Sequence, residues 1–168
     1  DFHADMTKLN TLGILKMLIY PQIFDSALDG KLDYNLAKQN GTFHATTRNG
    51  RFTRNQMLDL VKQYGKKDLY KENFVSTFNS RIRKEHTYTD LDMRSNKSSI
   101  TGKNVYLNSK TKQIKAKLDI NANNNPLKVE LKGNVDQPKV KIDASKLIEK
   151  ELKKEAGKQI NKLLKGLF

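Results

Sequence analysis

Histidine and acidic residues are the side chains of this sequence that could bind a metal ion or transfer a proton. The three histidines, His3, His44 and His86, are not spaced as a helical or hairpin metal pair would be. Asp90 and Asp92 stand two residues apart, as two carboxylates on one face of a strand would. They alternate with apolar residues, however, as solvent-facing strand positions do. We therefore interpret both sets as surface or strand residues without a catalytic role.

Nucleophilic and phosphate-binding motifs are also missing from the sequence. The 168 residues include no cysteine, which excludes disulfides, thiolate metal sites and a cysteine nucleophile. No serine stands in a G-x-S-x-G elbow, and no glycine-rich loop of the P-loop or dinucleotide type occurs. We expect a protein that is not an enzyme and that needs neither a metal nor a cofactor.

The charge of the chain favours an anionic partner. The 32 basic and 18 acidic side chains leave a net charge of +14. Nucleic-acid modules combine basic residues with a recognition helix or with aromatic residues on a sheet face. Here the lysines alternate with apolar residues along every predicted strand, and only 8% of the residues are aromatic. A phospholipid or membrane surface is therefore the expected partner, no nucleic acid is expected, and a basic nucleic-acid-binding module is the alternative.

The elements that would position these side chains begin with a mostly apolar segment. Residues 6–20 precede Pro21, which predicts a short buried helix with Asp5 or Asn10 as its cap. The longest apolar run within it, Leu12 to Tyr20, is shorter than the ~20 residues that span a bilayer. We expect this helix to pack on the rest of the domain.

A hairpin and a second helix are predicted next. Apolar and polar residues alternate within residues 32–47, and Asn40-Gly41 predicts the turn between the two strands. Thr53 and the glutamine three residues later form a capping box. Apolar residues then recur at helical spacing up to Gly65. These patterns predict a strand, a turn, a strand and an amphipathic helix.

From residue 73 onward, apolar residues recur at every second position, which is the period of a β-strand. Turn residues at 96–97, 108–112, 123–126 and 136–138 separate these runs, so we expect an antiparallel meander and about eight strands in all. The apolar positions would share one face, which is either a core filled by the helices or a lipid-binding groove. This face consists of Phe74, Phe78, Ile82, Leu91, Met93, Ile114, Leu118, Ile120, Leu127, Val129, Leu131, Val140 and Ile142.

The last residues predict an amphipathic helix over residues 145–166, which divides the chain into a β-domain, 1–143, and a helical tail, 144–168. Its apolar side consists of Leu147, Ile148, Leu152, Ala156, Ile160, Leu163, Leu164 and Leu167. We expect the first half to dock near Val140 and Ile142 and the half beyond Gly157 to be looser. Lysines in that second half could contact an anionic membrane surface, namely Lys158, Lys162 and Lys165.

The order of these elements resembles the C-terminal region of the AsmA family over about residues 6–143. The segments that carry the resemblance are LDGKLDYNL, NGTFHATTRNGRF, NQMLDLVKQYG, NFVSTFNSRI, TDLDMRS, ITGKNVYLNSKTKQIKAKLDI and LKVELKGNVDQPKVKID. The most specific of these features are Gly102 followed by Val105-Tyr106-Leu107, and the closing segment from Gly133 to Pro138.

The resemblance implies the end of a longer cell-envelope protein of Gram-negative bacteria. Such a protein would lie in the periplasm, tethered to the inner membrane by an N-terminal segment that this chain does not contain. The family is linked to outer-membrane biogenesis and to phospholipid transport along an apolar β-sheet groove, and it supplies no catalytic residues to carry over. We expect an α+β fold with a curved antiparallel sheet, two short internal helices and a C-terminal amphipathic helix. A scaffold that binds another envelope protein along an open sheet edge is a further alternative.

Overall fold

Alternating apolar and polar residues build one curved antiparallel sheet, as the sequence predicts. The computed structural model describes the backbone of residues 1–165 and the side chains of residues 1–162. Within this part, nine strands follow one another in chain order. They are β1 (Phe2–Asn10), β2 (Phe24–Asn35), β3 (Asn40–Phe52), β4 (Phe74–Arg83), β5 (His86–Arg94), β6 (Ser99–Asn108), β7 (Gln113–Ala122), β8 (Asn125–Asn134) and β9 (Lys139–Asp143). The predicted α+β meander is confirmed.

The described helices all leave the sheet at one end. They are α1 (Thr11–Met17), α2 (Gln56–Gly65) and α3 (Ser145–Lys165), with a short 3-10 turn at Leu69–Lys71. We call this end, where β1, β3 and β9 finish, the helix end. The opposite end, which carries the turns at 36–39, 84–85, 109–112 and 135–138, is the turn end. The helices can therefore cover the sheet only from the helix end.

The apolar side chains of the strands share one face from edge to edge. Directly opposite residues of an antiparallel pair lie on the same face, and the register pairs Phe78 with Leu91 and Leu118 with Val129. Val129 in turn pairs with Ile142 of the edge strand. We call this face the inner face and the opposite one the outer face.

The prediction of one helix over residues 6–20 is wrong in its first half, which forms the edge strand β1. Phe2, Ala4 and Met6 alternate with polar residues, and each faces an inner-face position of β2. The helix begins only after Asn10, whose side chain accepts a hydrogen bond from the Gly13 amide (2.8 Å). The sheet therefore has nine described strands rather than about eight.

The first hairpin is confirmed, but its turn lies earlier than Asn40-Gly41. Asn35 pairs with Asn40, and the Asn35 side chain accepts from the Lys38 amide (2.7 Å), which closes the turn over residues 36–39. Gly41 lies inside β3, where a Cβ atom would stand 2.2 Å from the Asp33 carbonyl oxygen. This glycine is required by close backbone approach rather than by a turn.

The helix α2 is confirmed over the predicted residues, although its cap differs. Asn55 is the N-cap and accepts from the Leu58 amide (3.0 Å). The Thr53 hydroxyl donates instead to the Gln22 carbonyl (2.5 Å), because this threonine connects to the segment before β2. Leu58 and Val61 are buried in the core on the inner face. α2 thus covers part of the inner face at the helix end.

Candidate apolar binding face

Seven of the predicted apolar positions form a filled core beneath α2. Leu58 and Val61 of the helix belong to the same buried cluster as these strand residues, and Gly65 stands against Leu127 and Ala122. Close packing of this kind fills the space directly beneath the helix. The buried positions are Phe74, Met93, Leu118, Ile120, Leu127, Val129 and Leu131.

The other six predicted positions are only half-buried: four lie in β4, β5 and β7, beyond the strands that α2 mainly contacts, and two lie on the edge strand β9. α2 packs mainly against β8 and β9, whereas α1 packs against β1 and β2. The half-buried positions are Phe78, Ile82, Leu91, Ile114, Val140 and Ile142. Val105 and Leu107 of β6 are half-buried on the same face. The inner face is therefore a core at the helix end and an accessible apolar surface towards the turn end.

Buried hydroxyl groups line the floor of the inner face between β3 and β4. Thr47 and Ser76 are direct cross-strand partners, and each is about 1% exposed. Their side-chain oxygens have no hydrogen-bond partner among the described residues. The neighbouring pair Ser80 and Thr89 share a hydrogen bond (2.8 Å). Neighbouring protein therefore covers this pair of hydroxyls, and the inner face is not apolar at every position.

A depression of about 790 Å³ opens where α2, β7–β9 and the start of α3 meet. This volume lies within the usual range for sites that hold small ligands. Its apolar lining includes Val129, Ile142 and Ile148. Charged residues of both signs also line it, namely Lys117, Asp119, Glu130, Lys141 and Asp143, and they alternate with the inner-face residues of β7–β9. Their side chains therefore belong to the outer face, and the inner-face side of the depression is apolar.

Tyr64 and Ile148 were not among the predicted site residues, although both line this depression. Tyr64 fits the apolar side of α2, and Ile148 fits the apolar side of α3, so the helical periodicity identifies both as apolar-side residues. What the periodicity does not give is the position of α3 beside α2. That position depends on the sheet bringing the end of β9 next to α2.

The C-terminal helix docks over its first turn only. Leu147 is 5% exposed in the core, whereas Ile148, Leu152 and Ile160 are 56%, 67% and 57% exposed. The helix is expected to dock in part near Val140 and Ile142, and the buried contact is limited to its start, since Leu152, well before Gly157, is already exposed. Leu163, Leu164 and Leu167 lie outside the described side chains.

The predicted membrane-contact lysines of α3 are exposed where they are described. Lys158 pairs with Glu155 (3.6 Å) on the same helix, and Lys162 is exposed. The side chain of Lys165 lies outside the described residues. An exposed apolar stripe beside lysines is the arrangement that an interfacial helix has.

The three histidines have separate partners, and the two aspartates of β5 each bond to a different residue. Asp90 accepts from the Asn104 amide (2.7 Å), which lowers the pKa of this carboxyl, and Asp92 pairs with Arg94 (2.8 Å). Across residues 1–162, no three His, Asp or Glu side chains stand close enough to hold a metal ion. The histidine contacts are His3 with Asp33, His44 with Asn79 and His86 with Tyr106.

Within the described residues, none of the helices has the length and apolar character needed to cross a bilayer. Comparison of the chain with protein-family models, with curated proteins and with solved structures gives no match. The resemblance to the AsmA family therefore stays a prediction, and the functional argument depends on the geometry of the inner face.

Proposed function

We propose that this chain is a non-enzymatic lipid-handling domain that binds phospholipid acyl chains on the uncovered part of its inner face. The observation that carries the proposal is the mainly apolar inner face of nine strands, on which α2 packs only at the helix end, so that Phe78, Ile82 and Leu91 stay half-buried. An apolar sheet face must be covered by protein or by a ligand. Phospholipid supplies apolar chains of the required chemistry and an anionic phosphate that lysine can bind.

The cellular setting of the proposal comes from the resemblance to the AsmA family. It places the domain in the periplasm, at the end of a protein tethered to the inner membrane, with a role in phospholipid transport and outer-membrane biogenesis. The exposed apolar stripe and lysines of α3 are consistent with contact at a membrane surface. In this proposal, the sheet holds lipid and α3 contacts the bilayer.

A photo-crosslinking experiment tests the lipid-binding face directly. A benzophenone side chain is placed at Ile82, which faces inward at the turn end, and in a matched control at Arg83, the next residue of the same strand on the outer face. The two proteins are irradiated after incubation with phosphatidylglycerol vesicles and analysed by intact-protein mass spectrometry. We expect a lipid adduct at Ile82 and none at Arg83. Equal labelling at both positions, or none at Ile82, contradicts the proposal.

Nucleic-acid binding is the second candidate function, and one feature of the outer face favours it. The rings of Tyr88 and Tyr106 lie 5.3 Å apart, with Arg81 opposite Tyr88 and Lys115 opposite Tyr106. Stacking of bases on aromatic rings beside basic residues is how single strands are bound. Fluorescence anisotropy with a labelled single-stranded oligonucleotide tests it: the protein should bind at low salt, and Tyr88→Ala should weaken binding. Absence of binding at low salt excludes this function.

A further inference from the structure

The end of α1 exposes three consecutive apolar side chains. Met17, Leu18 and Ile19 are 74%, 51% and 73% exposed, and Leu9 and Ile23, which precede and follow this segment along the chain, are also exposed. Single exposed apolar residues are ordinary, but a contiguous exposed patch marks an interaction site. The patch lies at the end of a helix and is therefore convex. A convex apolar patch can insert into another surface but cannot enclose a small ligand.

The backbone at this tip is held in a conformation that does not suit its residue. The amide of Ile19 donates to the Lys16 carbonyl (3.1 Å) and the amide of Tyr20 donates to the Leu15 carbonyl (2.8 Å). This is the Schellman arrangement, in which the left-handed position is usually glycine. Ile19 occupies it with φ of 56°, which is unfavourable for a β-branched side chain. The isoleucine thus brings backbone strain and little packing.

A lysine from the far end of the sheet fixes the tip. Lys112 Nζ donates to the Ile19 carbonyl oxygen (2.6 Å) and lies 5.9 Å from the centre of the Tyr20 ring. Asp136 pairs with the same lysine (3.5 Å). α1 leaves the sheet at the helix end, whereas Lys112 belongs to a turn at the turn end, so the sheet curvature brings these two corners together. The backbone that carries Met17, Leu18 and Ile19 is therefore fixed by the helix-end hydrogen bonds and by the bond from Lys112.

The segment of the tip and the strands that follow the Lys112 turn are both basic. Residues 6–24 include Lys8 and Lys16 and no acidic residue. The strands next to the Lys112 turn carry three exposed lysines directly opposite one another, and none of the three has an ion pair within the described part of the chain. Like charges at opposed positions destabilise a sheet, and an anionic surface would compensate this repulsion. The three are Lys115, Lys132 and Lys139.

We propose that the tip of α1 inserts into the surface of an anionic phospholipid bilayer. Met17, Leu18 and Ile19 enter the boundary between headgroups and acyl chains, while Lys16 and three lysines of β7–β9, far from the β2–β3 turn in the strand order, contact lipid phosphates; the three are Lys115, Lys132 and Lys139. Insertion of aliphatic side chains together with lysine contacts is the physical basis of interfacial binding. The contact is separate from α3 and does not require that the inner face hold lipid.

Tryptophan fluorescence can test this contact at a single position, because the sequence contains no tryptophan. Leu18→Trp places a reporter at the tip, and Leu36→Trp is the matched control, since Leu36 is 68% exposed in the turn between β2 and β3. With vesicles of equimolar phosphatidylglycerol and phosphatidylcholine, the emission of Leu18→Trp should shift to shorter wavelength and be quenched by brominated acyl chains. The emission of Leu36→Trp should not change, and phosphatidylcholine alone should give a weaker response with Leu18→Trp.

Ile19→Gly separates membrane binding from folding. Glycine suits the left-handed backbone, so the melting temperature should stay the same or rise, whereas vesicle affinity in co-flotation should fall roughly tenfold for the lost aliphatic side chain. Unchanged emission of Leu18→Trp on vesicle addition overturns the inference, as does wild-type vesicle affinity of Ile19→Gly. An equal spectral shift at Leu36→Trp also overturns it. The Ile82 crosslink reports lipid on the inner face, whereas Leu18→Trp reports insertion of the α1 tip. Failure of one experiment therefore does not decide the other proposal.

Discussion

α2 and α3 are both amphipathic helices, and they differ in what their apolar sides contact. α2 buries Leu58 and Val61 in the core, whereas α3 buries Leu147 and leaves Leu152 and Ile160 exposed to solvent. The helix α2 connects β3 to β4 and must return to the sheet, so it lies on the inner face. The helix α3 follows the last strand and meets a face that is already covered. Helical periodicity sets which side is apolar, but the topology decides whether that side has a partner within the chain.

The largest expected difference between the two helices is the loss of folding stability when a leucine is replaced by alanine. Leu58→Ala in α2 should lower the free energy of unfolding by about 2–5 kcal/mol, because it leaves a cavity in the core. Leu152→Ala in α3 removes a side chain that is mostly exposed to water, so it should change the free energy of unfolding by less than about 0.5 kcal/mol. Urea denaturation followed by circular dichroism measures both. A comparable loss for Leu152→Ala would mean that α3 packs on the domain in solution.

A smaller loss is expected where α3 is anchored. Leu147→Ala should lower the free energy of unfolding by about 2 kcal/mol, near the lower limit for a buried leucine, because the residue lies at the margin of the core. It should also raise amide hydrogen exchange over residues 145–152. The control Ile148→Ala alters a neighbouring exposed residue and should leave exchange and stability close to wild type. If both substitutions act alike, Leu147 is not the anchor.

The sequence predicted the sheet better than the ends of its elements. Period two from Phe74 to Ile142 gave the correct inner face, because one-residue register slips would expose every apolar side chain. The strand β1 was missed because Met6 and Leu9 also fit the helical spacing of the residues that follow. The spacing of Thr53 and Gln56 predicts a capping box, but the Thr53 hydroxyl donates to the Gln22 carbonyl, a contact between distant segments that the local pattern does not contain.

The candidate site could be predicted only in part. All thirteen predicted apolar positions lie on the inner face, but the pattern does not distinguish Leu118, which is buried, from Ile82, which is half-buried. That distinction depends on how far α2 extends over the sheet. The left-handed backbone at Ile19 is not predicted by its residue type, since glycine is usual at that position, and the Lys112 contact with Ile19 joins residues 93 positions apart.

The glycines of the two helices give a third comparison, with effects near 1 kcal/mol. A Cβ atom at Gly65 of α2 would stand 3.0 Å from Leu127, so Gly65→Ala should lower the free energy of unfolding by about 1 kcal/mol through overpacking. Gly157 of α3 has nothing within 4 Å of such an atom. Gly157→Ala should therefore increase helical circular dichroism, with a local gain of about 1 kcal/mol, and leave the unfolding midpoint unchanged. A raised midpoint would show that α3 unfolds together with the sheet.

The smallest effect expected is the pH dependence of the α3 start. The Ser145 hydroxyl (2.6 Å) and the Ser145 amide (2.9 Å) donate to Asp143, and these bonds lower the pKa of the Asp143 carboxyl. A lowered folded-state pKa means that the stabilisation is complete above the ordinary carboxyl pKa and is lost as the pH falls through the lowered value. Acid should thus loosen the first turn of α3 before it affects the core.

Carboxyl NMR titration measures this effect, with Ser145→Ala as the variant. Loss of the hydroxyl should raise the pKa of Asp143 towards its ordinary value, while the remaining amide bond keeps it below that value. Asp68, at the end of α2, is the internal control, because its pKa is lowered chiefly by the hydrogen bond from Lys62 (2.8 Å) and should not respond to Ser145→Ala. An Asp143 titration that Ser145→Ala leaves unchanged would show that Asp143 does not hold the start of α3. Exchange protection over residues 145–148 should then be independent of acid, and the packing of Leu147 and the hydrogen bond from Lys150 to the Asn124 carbonyl would hold the start of the helix.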